Sequence, residues 1–181
     1  MPVYNDVPTV EYYPFPEIFY RNLHARVGVK SILSVGAGHG GPLDVHYWSA
    51  VPMDKKEACD IFWIRDLPHG WTFKVGVDVQ ELTKHYPEKS FDLVECCETL
   101  EHVPNTRKAL EELCKVARKM VFITSADEVQ HQGPEQDAIE KVNKSQAYIQ
   151  QPSIADLREL GFEARVEHMD KRQIISWRIF G

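Results

Sequence analysis

A chain of 181 residues has room for one hydrophobic core and little more. A hydrophobic fraction of 43% beside 27% charged residues is ordinary for a globular chain in water, and no apolar run nears the roughly 18 residues of a membrane span. The net charge of −6 argues against broad attraction to nucleic-acid backbone, and four cysteines without C-x-x-C spacing suit neither a zinc site nor a disulfide framework.

A single domain over 1–181 is therefore expected, with no metal. The opening MPVYNDVPTVEYYPFPE has neither a basic start nor a long apolar stretch, so a cytoplasmic protein is expected. Residues 1–15 mix proline, tyrosine and acids without a period and read as an irregular arm. Ile18, Phe19, Leu23 and Val27 recur at helical spacing over 16–28, behind a proline suited to a first turn. Residues 31–35 form a short apolar strand that runs into the glycines of SVGAGHGG, and 42–50 predicts a helix whose start points back at them. Two strands ending at carboxylates follow: ACDIFWIR (58–65) stops at Asp66, and WTFKVGV (71–77) stops at Asp78.

FDLVECC (91–97) is the next strand. NTRKALEELCKVARK then sets Leu110, Leu113, Cys114 and Ala117 on one helix face, with Lys115, Arg118 and Lys119 as a solvated basic patch. MVFITS (120–125) is a continuous apolar strand of the kind buried on both faces. Residues 126–151 are polar and read as a surface excursion or lid. Ser153 with Asp156 marks a helix start, Leu157 and Leu160 face inward, and Gly161 stops it. EARVEHM and QIISWRIF across MDKR form a hairpin, which ends the sheet with an antiparallel strand. Alternating strands and helices give an α/β class with a largely parallel sheet.

The glycine run fits two templates. Gly36-x-Gly38-x-x-Gly41 is the dinucleotide pattern, whereas Gly36-x-Gly38-x-Gly40 is that of methyl-donor enzymes. Glycines at such a turn let the backbone bend sharply and let a ligand approach, although a plain tight turn also accounts for them. A ligand at the carboxyl edge of a parallel sheet meets side chains at strand ends, which favours Asp66 and Asp78; Asp60 lies at the distance a dinucleotide acid needs but begins its apolar run. Asp92 reads as a hydrogen-bonding residue at a strand start, His102 as fixing a turn, and Glu98 and Glu101 as one exposed and one networked carboxylate.

SVGAGHG, VGVDVQEL, KSFDLVECCETLEHV, VARKMVFITS and SIADLRELGF resemble, in that order, the motifs of class I S-adenosylmethionine-dependent methyltransferases of the small-molecule branch, over about residues 30–165. The resemblance implies a Rossmann-like fold: a mostly parallel seven-stranded sheet with an antiparallel C-terminal strand and helices on both faces. It implies S-adenosylmethionine as cofactor, with Gly36, Ala37, Gly38 and Gly40 beside its methionine part. It further implies a ribose carboxylate at the end of the second strand, where Asp66 is the first choice and Asp60 the reserve. Asp78 and Val79 would meet the adenine, Asp78 turning to the ribose if 60–66 is an inserted hairpin strand, and Cys96 would lie near the donor's amino acid or sulfonium. The chain departs from the family at Ser34, where an acid is usual before the loop.

The activity implied is direct methyl transfer to a small-molecule acceptor, not assigned further. No Asn/Asp-Pro-Pro-Tyr/Phe motif follows the fourth strand, which disfavours DNA bases. The N-terminal aromatics (Tyr4, Tyr12, Tyr13, Phe15), the region of Trp48 and residues 127–151 are where an acceptor would be recognised. Ser34 motivates an alternative in which the chain binds donor or product without turnover, as a partner or regulatory subunit. Gly41 alone motivates an NAD-dependent oxidoreductase. Nothing in the sequence sets an oligomeric state or a catalytic base.

Overall fold

The computed structural model describes residues 27–37, 48–62, 67–126, 152–168 and 172–181. Seven strands form one sheet: β1 (Ser31–Val35), β2 (Lys55–Asp60), β3 (Thr72–Val75), β4 (Phe91–Cys97), β5 (Ala117–Ala126), β6 (Glu163–His168) and β7 (Arg172–Ile179). Their order across the sheet is β3-β2-β1-β4-β5-β7-β6. Every pair from β3 to β5 is parallel, and β7 is antiparallel to both its neighbours. The hairpin read from the sequence is present, with its second strand inserted beside β5 and its first strand left at the edge.

The expected arm and most of the first helix lie outside the described residues, as do 127–151. Residues 48–50 close the predicted 42–50 helix. Two 3-10 helices, Val79–Lys84 and Leu100–His102, and two α-helices, α1 (Thr106–Val116) and α2 (Ile154–Glu159), complete the described elements.

Each α-helix begins at a side chain that replaces a missing backbone partner. Asn105 accepts from the Lys108 N–H, and Ser153 accepts from the Asp156 N–H at 3.1 Å. The latter is the start read from the sequence, and Gly161 follows at φ +81°. α1 stops at Val116, so Ala117, Arg118 and Lys119 belong to β5 and not to the helix. The basic patch is thereby redistributed: the carboxylate of Asp92 takes Arg118 Nε at 2.8 Å and the Lys30 N–H at 2.9 Å. Asp92 is the strand-start hydrogen-bonding residue expected.

The apolar residues fall on both sheet faces by strand alternation. On one face Leu33, Val35, Val94, Cys96, Val121 and Ile123 pack under Leu82, α1 and Leu157. On the other, Ile32, Leu93, Met120 and Phe122 pack with Trp48. No helix among the described residues is long and apolar enough to cross a membrane.

β2 departs from the sequence reading. It spans 55–60, not 58–65, and Asp60 ends it instead of beginning it. Its first residues are charged because they stand at the open amino edge, where Lys55 pairs with Glu57 at 3.2 Å. Only Ala58, Cys59 and Asp60 are buried, while Ile61 is among the large apolar side chains most exposed, at 48%. Apolarity misplaces this strand by three residues at its start and five at its end, because half of it does not face the core.

Candidate functional site

The strand order reverses between β1 and β4: the chain builds outward to β2 and β3, then returns to the other side of β1. In open α/β sheets the crevice outside the carboxyl ends at such a reversal is where ligands bind. One lip of this crevice is Gly36 and Ala37, directly after β1. The other is Cys97, Glu98 and Thr99, where β4 ends.

Gly36 has φ +69°, a conformation that side chains disfavour. Its N–H and that of Ala37 both donate to the Cys59 carbonyl, at 2.9 and 3.2 Å. A Cβ on Gly36 would collide with the Thr99 side chain, at both Oγ1 and Cγ2. The absent side chain is thus filled from across the crevice. Thr99 Oγ1 lies 3.3 Å from the Gly36 carbonyl and 2.9 Å from that of Cys97. Glu98, between them, has φ +47°, and its N–H donates to the Thr124 carbonyl at 2.9 Å.

Two carboxylates stand along the same edge. Asp60 closes β2, nearly buried, and its Oδ1 accepts the Phe62 N–H at 3.0 Å. Its carbonyl accepts the Val77 N–H at 3.1 Å, which ties β2 to the chain leading into Asp78. Asp78 caps the 3-10 helix Val79–Lys84, with Oδ1 accepting the Gln80 N–H at 2.8 Å. Gln80 Nε2 lies 3.2 Å from each of its carboxylate oxygens, and Val79 beside it is buried. This capping leaves the carboxylate on the edge.

Cys96 does not take the place expected of its side chain. It lies between Val35 and Ile123 in the β-ladder, fully buried in the core under α1. Burial, with Glu101 second, pushes its thiol well above the ordinary range. Strand alternation turns Cys97, half-buried, to the opposite face. Gly38, Gly40 and Asp66 lie outside the described residues, as does Gly41.

Residues 68–175 match the model of a family described as a methyltransferase domain. The chain belongs to this family. Solved structures share the fold of the methyltransferase domain at low identity. A carbon methyltransferase, CurJ, has a TM-score of 0.62 and 12% identity over 82% of this chain, which spans only 48% of that one. A SAM-dependent methyltransferase from Aquifex aeolicus scores 0.57 with 16% identity, covering 88% of each chain. Magnesium protoporphyrin IX methyltransferase from Synechocystis, solved with bound SAH, scores 0.58 with 15% identity over 91% of this chain and 83% of that one. No curated protein matches the sequence.

The methyltransferase domain also holds site features that motif reading passes over. Ser34 pairs in register with Glu95 of β4, so a fully buried carboxylate stands beside the residue at which the sequence departs from the resemblance. Its Oε2 accepts the indole N–H of Trp48 at 3.0 Å, tying the segment after the glycine loop to β4. Glu101 is buried and accepts from the Ser125 hydroxyl at 3.3 Å, which makes it the networked member of its pair. The His102 N–H donates to the Thr99 carbonyl at 3.0 Å and closes the turn. A carboxylate in the middle of the apolar run LVECC was the available signal for Glu95; Thr99 carried none.

Proposed function

We propose that this methyltransferase domain moves the methyl group of S-adenosylmethionine directly onto a small-molecule acceptor in the cytoplasm. The observation that carries this reading is one edge that holds a glycine turn at the strand reversal, a carboxylate at the end of β2 and another just beyond β3. Asp60, not Asp66, then takes the ribose hydroxyls, because β2 ends at Asp60. Asp78 accepts the adenine amino group, sharing its oxygens with Gln80, while Val79 and the exposed Ile61 offer apolar walls for the ring. Gly36 and Ala37, with Gly38 and Gly40 beyond them, take the methionine part. The residues present fit the donor: two acceptor-only carboxylates suit a diol and an amino group.

When bound, S-adenosylmethionine supplies an electrophilic methyl carbon whose leaving group is a neutral thioether. The chain's part is then to bind, orient and exclude water, and positioning alone contributes several kcal/mol to such a displacement. No covalent nucleophile is required, and the buried thiols are poor ones: burial pushes Cys59 up to about 12 and Cys96 well above its ordinary value. Free cysteines among the described residues suit a reducing compartment.

Ser34 supports a second reading, donor binding without turnover. Glu95 weighs against it, since it places a carboxylate one strand away at the same level. Isothermal titration with S-adenosylhomocysteine and NAD tests the first reading: binding of the former and none of the latter is expected, and the reverse overturns it. Labelled methyl donor with a panel of small acceptors then separates the readings, since binding without any transfer selects the second.

A further inference from the structure

The two lips of the crevice are joined by one side chain. Thr99 stands at the end of β4 and is only half-buried, yet it occupies the volume that a side chain on Gly36 would need. Its hydroxyl oxygen lies within reach of a carbonyl on each lip, 3.3 Å from Gly36 and 2.9 Å from Cys97. A hydroxyl carries one proton, so it donates to one of these carbonyls at a time or shares unequally between them.

Both acceptors are held from behind. The Gly36 N–H is fixed to the Cys59 carbonyl on the β2 side, and the Glu98 N–H to the Thr124 carbonyl on the β5 side. Thr99 therefore spans two anchored segments and fills the space beside Gly36 where the β1–β4 ladder ends. Two of the structure's positive-φ residues, Gly36 and Glu98, flank this contact. Backbone held in sparsely populated conformations concentrates where a chain must present a shape to a ligand.

We propose that Thr99 is a positioning residue for donor binding: its hydroxyl bridges the β1 and β4 lips and its bulk fills the space beside Gly36. The inference rests on the reading of this crevice as the donor site. Thr99 touches no reacting atom in this scheme; it acts through Gly36. Gly36 is then glycine for two reasons, its φ and the volume Thr99 takes, and the second belongs to this pair alone.

Thr99→Val keeps the branched shape and removes the hydroxyl, and Thr99→Ser keeps the hydroxyl. Affinity for S-adenosylhomocysteine is measured by calorimetry on the folded proteins, with urea midpoints taken alongside. The valine variant is expected to bind roughly three- to tenfold more weakly, the worth of one hydrogen bond, with the serine variant close to wild type. Gly36→Ala should weaken binding further, and Gly36→Ala with Thr99→Gly should recover part of that loss by removing the collision. A midpoint change without an affinity change in Thr99→Val would make the residue purely structural and overturn the proposal. So would additive losses in the double variant. A wild-type protein that binds no S-adenosylhomocysteine fails at the donor site itself, a different result from wild-type binding that Thr99→Val leaves untouched.

Discussion

Asp60 and Asp78 each do a local job that a ligand role must be separated from. Asp78 caps a 3-10 helix and Asp60 accepts the Phe62 N–H, so alanine at either would remove local structure together with any ligand contact. Asparagine separates the two, because its side-chain oxygen still accepts from the backbone while the charge is lost. Asp60→Asn and Asp78→Asn should each weaken S-adenosylhomocysteine binding about tenfold or more, since a hydrogen bond to a charged group is worth roughly 1.5–3 kcal/mol. Unfolding free energies should stay within about 0.5 kcal/mol of wild type, as expected where the cap is retained. An asparagine variant that binds as wild type removes that residue from the site. At this scale the sequence shows Asp78 plainly, because it follows a strand of ordinary pattern. Asp60 is obscured by the apolar run IFWI behind it, which draws the eye to Asp66. Thr99 is invisible, because a threonine inside a turn carries no pattern until the backbone brings Gly36 against it.

Among elements, β4 is held by its charged start as much as by its apolar body. The Asp92 carboxylate meets the Lys30 N–H, Arg118 of β5 at 2.8 Å and Lys119 at 3.6 Å, so it joins β4 to β5 and to the chain entering β1. Burial raises its pKa, but these three partners outweigh burial and hold it below the ordinary 3.8. Glu112 on α1 behaves likewise: burial raises it, and Lys115 with the hydroxyl and N–H of Thr83 bring it below 4.5. A depressed folded pKa means that the unfolded chain binds more protons in the window, so stability rises with pH there. The contribution is complete above the ordinary value and is lost as pH falls through the folded one. Asp92→Asn should therefore cost about 1–2 kcal/mol at pH 7, discounted because Arg118 is half-exposed. The gap to wild type should close below about pH 4, the carboxylate range. Urea midpoints between pH 3 and pH 7 check this, and a gap independent of pH would put the cost down to packing. Element types and order were largely legible because β4, β5, α1 and α2 bury one side or both. Boundaries were lost where charge and burial part company, at the exposed start of β2 and at ARK, which continues α1's pattern but pairs as β5.

The molecule as a whole has two unlike edges. The carboxyl edge gathers the Gly36 turn, Asp60, Asp78 and Thr99. The opposite edge carries the Asp92 network and a shallow groove of about 360 Å³ walled by Lys119, Trp177, Arg178 and Phe180. In the groove, Arg178 already donates to the Leu160 carbonyl at 2.7 Å and stands over the Phe180 ring, so its polar group is spent on structure. Ligand linkage should reveal this asymmetry. S-adenosylhomocysteine at a hundred times its dissociation constant should stabilise the fold by about 2.7 kcal/mol, whichever edge binds it. Protection from hydrogen exchange distinguishes the edges, because local openings respond to contacts nearby. Amides of Gly36, Ala37, Glu98 and Gln80 should slow on binding, whereas those of Lys119 and Phe180 should not exceed the global change. Thiol labelling gives an independent reading. Cys97, half-buried beside the crevice, should alkylate in the free protein and be shielded by ligand. Cys59 and Cys96, buried with their pKa values raised, should stay unreactive in both states until the chain unfolds. Protection concentrated around Lys119 and Phe180, with Cys97 labelling unchanged, would move the site to the other edge and take the carboxylates out of it.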